Sequence, residues 1–283
     1  MNESWWILLL ALLPGGGNFV GGMIAEFWRT SPQLLNWALH GASGIVIAIV
    51  AVELMPEAMG KLAGWWIAAA FAIGGVTYIA IEGVLERIQW QAGGRGKDAR
   101  TGMWMIYVAV AVDLSSDGLM LGTGSAVSPA LALALAAGQV LADIPEGYAT
   151  VANFRDKKIP RTRRILLSAS FFLFVVGAAL LSFFLLQGAS EAAKMAALVY
   201  VAGLLTVAAV EDMLEEAHEA RADNRRSILA FVAGFAVFVL VSAGLETILR
   251  GSGGSCTAIA SARQDANSLQ EDKIQEPRSA SPG

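Results

Sequence analysis

Apolar residues along this chain gather into eight long stretches separated by short polar breaks, at about 5 to 27, 36 to 57, 64 to 86, 103 to 122, 130 to 153, 165 to 187, 193 to 217 and 228 to 249. An α-helix rises ~1.5 Å per residue and needs roughly 20 apolar residues to cross ~30 Å of hydrocarbon. The pattern therefore predicts an all-α polytopic membrane protein with eight transmembrane helices. Beyond the last stretch, residues 250 to 283 are rich in Ser, Gly, Ala, Gln and charge and show no apolar period. The expected organisation is one transmembrane domain over 1–249 and a disordered polar tail over 250–283.

Composition agrees. Of 283 residues, 55% are hydrophobic and 16% charged, against roughly 25% charged in an ordinary soluble domain, which argues against a soluble enzyme. The net charge of −4 is not gathered into a basic, aromatic-bearing patch, so nucleic acid is not an expected partner. Cys256 is the single cysteine and lies in the polar tail, which leaves no intrachain disulfide and no Cys-x-x-Cys pair. Met1-Asn2-Glu3-Ser4 lacks the basic start of a cleaved signal, so the first apolar stretch is read as a retained helix.

Charge placement orients the chain. With eight spans, the breaks after the odd-numbered spans share one side, and they hold 14 of the 20 basic residues, from Arg29 and Arg87 through Arg155, Lys157, Lys158, Arg161, Arg163 and Arg164 to Arg226. The other side has Lys61, Lys194 and Arg250 outside the tail. By the positive-inside rule the basic side is cytoplasmic and both termini are extracytoplasmic, in a cell inner (plasma) membrane.

The informative residues are acids within the apolar stretches. Asp113 and Asp117 are four apart in the fourth span, and Asp143 and Glu146 are three apart in the fifth. Each pair shares one helix face, and all four lie near the same depth. Each acid at mid-depth costs ~2.5 to 3.5 kcal/mol on insertion scales. No Lys, Arg or His occurs between Gly102 and Phe154 to offset them. A cation from outside the chain, a proton or a metal, is the missing partner, and oxygen-only donor sets suit divalent metals and proton relays alike. Glu53 and Glu57 in the second span, Glu215 and Glu216 in the seventh and Glu246 in the eighth lie within two turns of a helix end and read first as boundary residues. Pro145 frees the carbonyl of Leu141 inside the fifth span, and Gln139 lies one turn before Asp143.

Asp143-Ile144-Pro145-Glu146-Gly147, with Asp113-Leu114-Ser115-Ser116-Asp117-Gly118 in the span before, resembles the ZIP (Zrt/Irt-like) family of divalent-metal transporters. Glu53-Leu54-Met55-Pro56-Glu57-Ala58 closes the second span in a similar way. Glu211-Asp212 and Glu216-x-His218 stand where family members often show His-Glu and Glu-x-His. The resemblance covers about residues 5 to 249 and implies a ZIP-like helix bundle, a homodimer, and Asp113, Asp117, Asp143 and Glu146 as metal ligands. It implies Glu211 and Asp212 as further metal-binding residues and an exit, with Glu53, Glu57, Glu216 and His218 along the entrance and exit. The divalent metal is then substrate, and no permanently bound cofactor is expected.

The chain departs from the family pattern: Asp113 stands for a histidine, Leu114 for an asparagine, Ser116 for a proline, Asp117 for a glutamate and Ala142 for a His or Gln, and Phe174 lies where some members carry an acid. Zinc prefers imidazole and thiolate, while carboxylate suits harder ions. Both histidines, His40 and His218, lie off mid-depth, so the expectation is Mn²⁺, Fe²⁺ or Zn²⁺, moved into the cytoplasm without ATP since no phosphate-cradling motif is present. Two alternatives belong to other classes: an intramembrane aspartyl hydrolase, which also needs two acids sharing a proton, and a degenerate relative that binds metal without moving it.

Overall fold

A computed structural model describes residues 3–92, 99–219 and 225–248; the expected tail over 250–283 lies outside them. The described residues form helices, with no strand among them. In chain order they are α1 (Glu3–Phe27), α2 (Pro32–Met59), α3 (Gly64–Ala92), α4 (Ala99–Val127), α5 (Pro129–Asp156), α6 (Arg161–Leu186), α7 (Glu191–Glu219) and α8 (Arg225–Ile248). All eight are long and apolar enough to cross a membrane, which bears out the fold class and a multi-pass membrane protein. Several run a few residues past the apolar stretch, because hydropathy marks the hydrocarbon crossing and not the end of helical hydrogen bonding.

Local signals set the boundaries. Ser31-Pro32 and Ser128-Pro129 each start a helix in the same manner: the serine Oγ accepts from the amide three residues on, at 3.2 Å from Leu34 and 3.1 Å from Leu131. Proline occupies the first turn, where its missing N–H is not needed. α5 ends as the Ile159 amide reaches back to the Phe154 carbonyl at 3.1 Å, with Lys158 in the left-handed region at φ 58°.

One helix is irregular for a stated reason. Pro56 has no N–H to give Val52, and its ring would strike that carbonyl, so the preceding turn widens. Ile49–Leu54 is a π-helical turn, and the Met55 amide bonds five residues back to Val50. Glu53 lies in this turn.

Among the described residues, those up to Ser242 pack as one compact unit and Ala243–Ile248 belong to a second, in which Thr247 Oγ1 donates to the Ala243 carbonyl at 2.8 Å. Within the first unit, glycine seams bring helices into backbone contact, the usual means of packing where no hydrophobic force acts between helices. α1 meets α5 where Gly17 faces the Val140 carbonyl and Gly21 that of Ile144; α4 meets α6 where Gly118 faces Val175 and Gly122 faces Ala179. α2 and α8 join through Gly44 against Phe231 and Gly234 against Gly41; α3 and α7 through Gly74 against Tyr200 and Gly203 against Phe71. α5 and α7 are among the most enclosed helices, whereas α3 and the window of α8 are largely exposed at the periphery.

Candidate functional site

α4 and α5 adjoin, and the seams just described fix their depth. Gly118 and Gly122 hold α4 against α6 by a face other than the one that carries Asp113 and Asp117, and Gly147, next to Glu146, is pressed against α1. Several polar residues of these helices are satisfied locally. Ser115 donates to the Ala111 carbonyl at 2.6 Å, Ser116 to Val112 at 3.1 Å and Thr150 to Glu146 at 2.9 Å. They are helix-internal and leave the carboxylates as the polar groups that need another account.

Asp143 is 0% exposed and Asp117 1% exposed, while Asp113 and Glu146 are half-buried. The acids meet across the two helices in pairs. Asp113 shares a side-chain hydrogen bond with Glu146, and Asp143 lies within reach of the charges of Asp117 and Asp113. Two carboxyl groups can share a hydrogen bond only if one of them holds a proton. Gln139 Nε2 donates to Asp143 Oδ1 at 3.2 Å, as its position one turn before Asp143 suggests. Asp143 Oδ2 and Gln139 Oε1 have no hydrogen-bond partner among the described residues. Also among the described residues, no three His, Cys, Asp or Glu side chains draw together closely enough to enclose one ion.

Of the positions at which the chain departs from the pattern it resembles, Leu114, Ala142 and Phe174 belong to the packing. Leu114 is fully buried against Phe171 and Val175. Phe174 packs beside them, with its ring 6.0 Å from that of Tyr107, and Ala142 lies in the main apolar core. α5 continues as one helix through Pro145, and the Leu141 side chain lies at the exposed surface.

The outlying acids have varied surroundings. Glu53, in the π turn, accepts a hydrogen bond from Ser242 of α8. Glu57 is paired with Lys61 at 2.6 Å near the surface, and Lys61 also reaches Glu191 at 3.8 Å. The Glu57 carboxylate holds the Lys61 ammonium above the ordinary lysine range. Glu211 is half-buried on α7; the side chains of Asp212, Glu215, Glu216 and His218 lie outside the described residues. His40 is buried, and its Nδ1 sits 2.9 Å from the Asn36 carbonyl.

Sequence reasoning missed a buried network at the basic end of the bundle. The Glu26 side chain, 2% exposed, binds Arg164 through both oxygens, with Nη2 at 2.6 Å, and Arg161 stands 3.7 Å away. Arg155 donates to the Ala25 carbonyl at 2.6 Å, and the Tyr148 hydroxyl accepts from the Thr30 amide at 2.7 Å. These bonds fasten the end of α1 to α5 and α6. A lone Glu beside Phe27-Trp28-Arg29 reads as a boundary residue until its partners, more than 100 positions away, are brought to it.

No family model matches the chain. It is similar to the zinc transporter ZupT of Akkermansia muciniphila, 27% identical over 274 aligned positions that cover 83% of this chain and 96% of that protein.

Proposed function

We propose that this chain, a divergent member of the ZIP family and a transporter rather than an enzyme, moves a divalent cation into the cytoplasm through the carboxylates of α4 and α5. The observation that carries the reading is Asp143: fully buried, facing the charges of Asp117 and Asp113, with one oxygen lacking a hydrogen-bond partner among the described residues. A carboxylate in that position is costly unless a cation comes to it. Asp113, Asp117, Asp143 and Glu146 replace the ion's water, and Glu211 with Asp212 receives it on the way out. Glu53 guides it in from the π turn. Glu57, paired with Lys61, stands at the entrance, and Glu216 and His218 belong to the exit.

The shared proton between Asp113 and Glu146 gives a way to let the ion go. As metal arrives that proton leaves, and as metal departs a proton returns, so the acids are never all bare at once. The donor set is all oxygen, which accepts Mn²⁺ and Fe²⁺, and Zn²⁺ is the expected strong competitor from both the relative's specificity and the general order of divalent affinities. The concentration of basic residues after odd-numbered helices supports termini outside, and in this reading the functional unit is a homodimer in an inner (plasma) membrane. Proteoliposome uptake of Zn²⁺, Mn²⁺, Fe²⁺, Cd²⁺ and Mg²⁺ in mutual competition tests this reading. It predicts saturable uptake of transition ions with Mg²⁺ a poor competitor; binding in detergent with no uptake in vesicles would overturn it.

A further inference from the structure

Asn18 lies in the middle of α1, is 1% exposed, and has no hydrogen-bond partner for either Oδ1 or Nδ2 among the described residues. A carboxamide buried in this way is destabilising on its own account. Glycines define what it faces. Asn18 is three residues after Gly15 and four before Gly22, so the three share one helix face. A Cβ at Gly15 would meet Phe172 and Val175 of α6, and one at Gly22 would meet Val151 of α5 and Ser168 of α6. That face therefore looks into the crevice between α5 and α6.

Depth follows from the same seam. The Asn18 carbonyl lies against Gly147, and α1 and α5 run in the same direction, Gly17 beside Val140 and Gly21 beside Ile144. Helical side chains tilt back toward the N-terminus, which lifts the Asn18 amide from the level of Gly147 toward that of Asp143 and Glu146. Three buried acceptors without partners among the described residues, Asn18 Oδ1, Asp143 Oδ2 and Gln139 Oε1, thus belong to one stretch of the α1–α5 crossing. Against these three acceptors Asn18 Nδ2 is one donor unpartnered among the described residues, so acceptors remain in surplus, which a cation satisfies and a water-free core does not.

We propose that Asn18 is a ligand from α1: its amide oxygen joins the α5 carboxylates in binding the divalent cation. This rests on the reading of the acids given above. A neutral oxygen completes coordination without a further negative charge, which keeps the ion releasable, and amide carbonyls are ordinary ligands for oxygen-preferring cations. The proposal adds a third helix to a site otherwise built from α4 and α5.

The test compares wild type, Asn18→Leu, Asn18→Asp and the double variant Asp143→Asn/Glu146→Gln. Each is measured for uptake of Mn²⁺ and of Zn²⁺ in proteoliposomes and for thermal unfolding in detergent with and without each ion. Asn18→Leu removes an unpartnered polar group at nearly constant volume. Without metal it should unfold at the same or a higher temperature than wild type. With metal it should lose most of the ion-induced rise, and its KM for both ions should increase at least about tenfold. Asn18→Asp restores an oxygen ligand and should keep KM within about threefold of wild type, well inside the tenfold or greater loss expected of a missing metal-site partner. A merely structural asparagine gives the opposite pattern, a lower unfolding temperature with unchanged KM, and that result overturns the proposal. If the double variant loses uptake while Asn18→Leu behaves as wild type, this inference alone fails. If the double variant transports normally, the reading of the acids fails with it.

Discussion

Gly147→Ala probes the site without altering a polar side chain. A Cβ at residue 147 would lie 1.9 Å from the Asn18 carbonyl oxygen, with two more Asn18 backbone atoms at 2.6 and 2.8 Å, and Cβ contacts shorter than 3.0 Å essentially do not occur. Relief by side-chain rotation is impossible because the obstacle is backbone, so α1 and α5 must part by at least 1.1 Å, the difference between 3.0 and 1.9 Å. Overpacking of this kind costs about 1–3 kcal/mol. Its consequence for the neighbouring Glu146 and Asp143 is larger, since metal ligands tolerate errors of only about 0.2 Å. We expect Zn²⁺ and Mn²⁺ uptake by Gly147→Ala to fall at least tenfold, with a lower unfolding temperature. Gly177→Ala in α6 is the matched control: nothing lies within 4 Å of its Cβ position, and alanine there adds about 1 kcal/mol of helix propensity. Equal uptake by the two variants would refute the claim that the α1–α5 seam sets the ligand geometry.

Other predictions follow from single features. Breaking the Glu26–Arg164 pair by Arg164→Ala leaves a carboxylate that is 2% exposed without its main partner and should cost about 3–5 kcal/mol; Glu26→Gln in the same chain should recover part of this in a double-mutant cycle, and strictly additive losses would contradict the pairing. Pro56→Ala removes the cause of the π turn, which lets α2 regain a regular register and swings Glu53 by roughly 100° away from Ser242. Uptake KM should rise several-fold with helix content retained, and unchanged kinetics would contradict a role for that turn in placing Glu53. Uptake should also fall as the external pH is lowered, because carboxylates must shed protons to bind metal; a flat profile would count against them as ligands.

The eight helices were legible because hydrocarbon thickness imposes a length that composition alone reveals, as α3 and α8 show with their long runs of outward apolar residues. The pairing of α4 with α5 was anticipated from acids at equal depth; Gln139, one turn before Asp143, bonds to it within the helix. The backbone contacts were not. Gly17, Gly21, Gly118 and Gly147 look alike in sequence to Gly16 and Gly177, which face nothing, and only the tertiary arrangement separates them. Asn18 went unnoticed because a single amide in Gly15-Gly16-Gly17-Asn18-Phe19-Val20-Gly21-Gly22 reads as a tolerated polar residue. Small residues spaced by four were the available sign of a close helix contact, and an amide inside such a contact must find a partner. Glu57 was expected to draw ions inward, yet Lys61, four residues on, takes up its charge, a pairing that helical spacing could have foretold.

The central claim is that the α4 and α5 acids carry the ion, and charge removal without change of shape tests it most directly. Initial rates of Zn²⁺ and Mn²⁺ uptake are to be compared for wild type, Asp143→Asn and Glu146→Gln in vesicles of matched protein content. The account predicts that each variant loses at least about tenfold in uptake rate at subsaturating ion while remaining folded. Wild-type rates in both variants would contradict it.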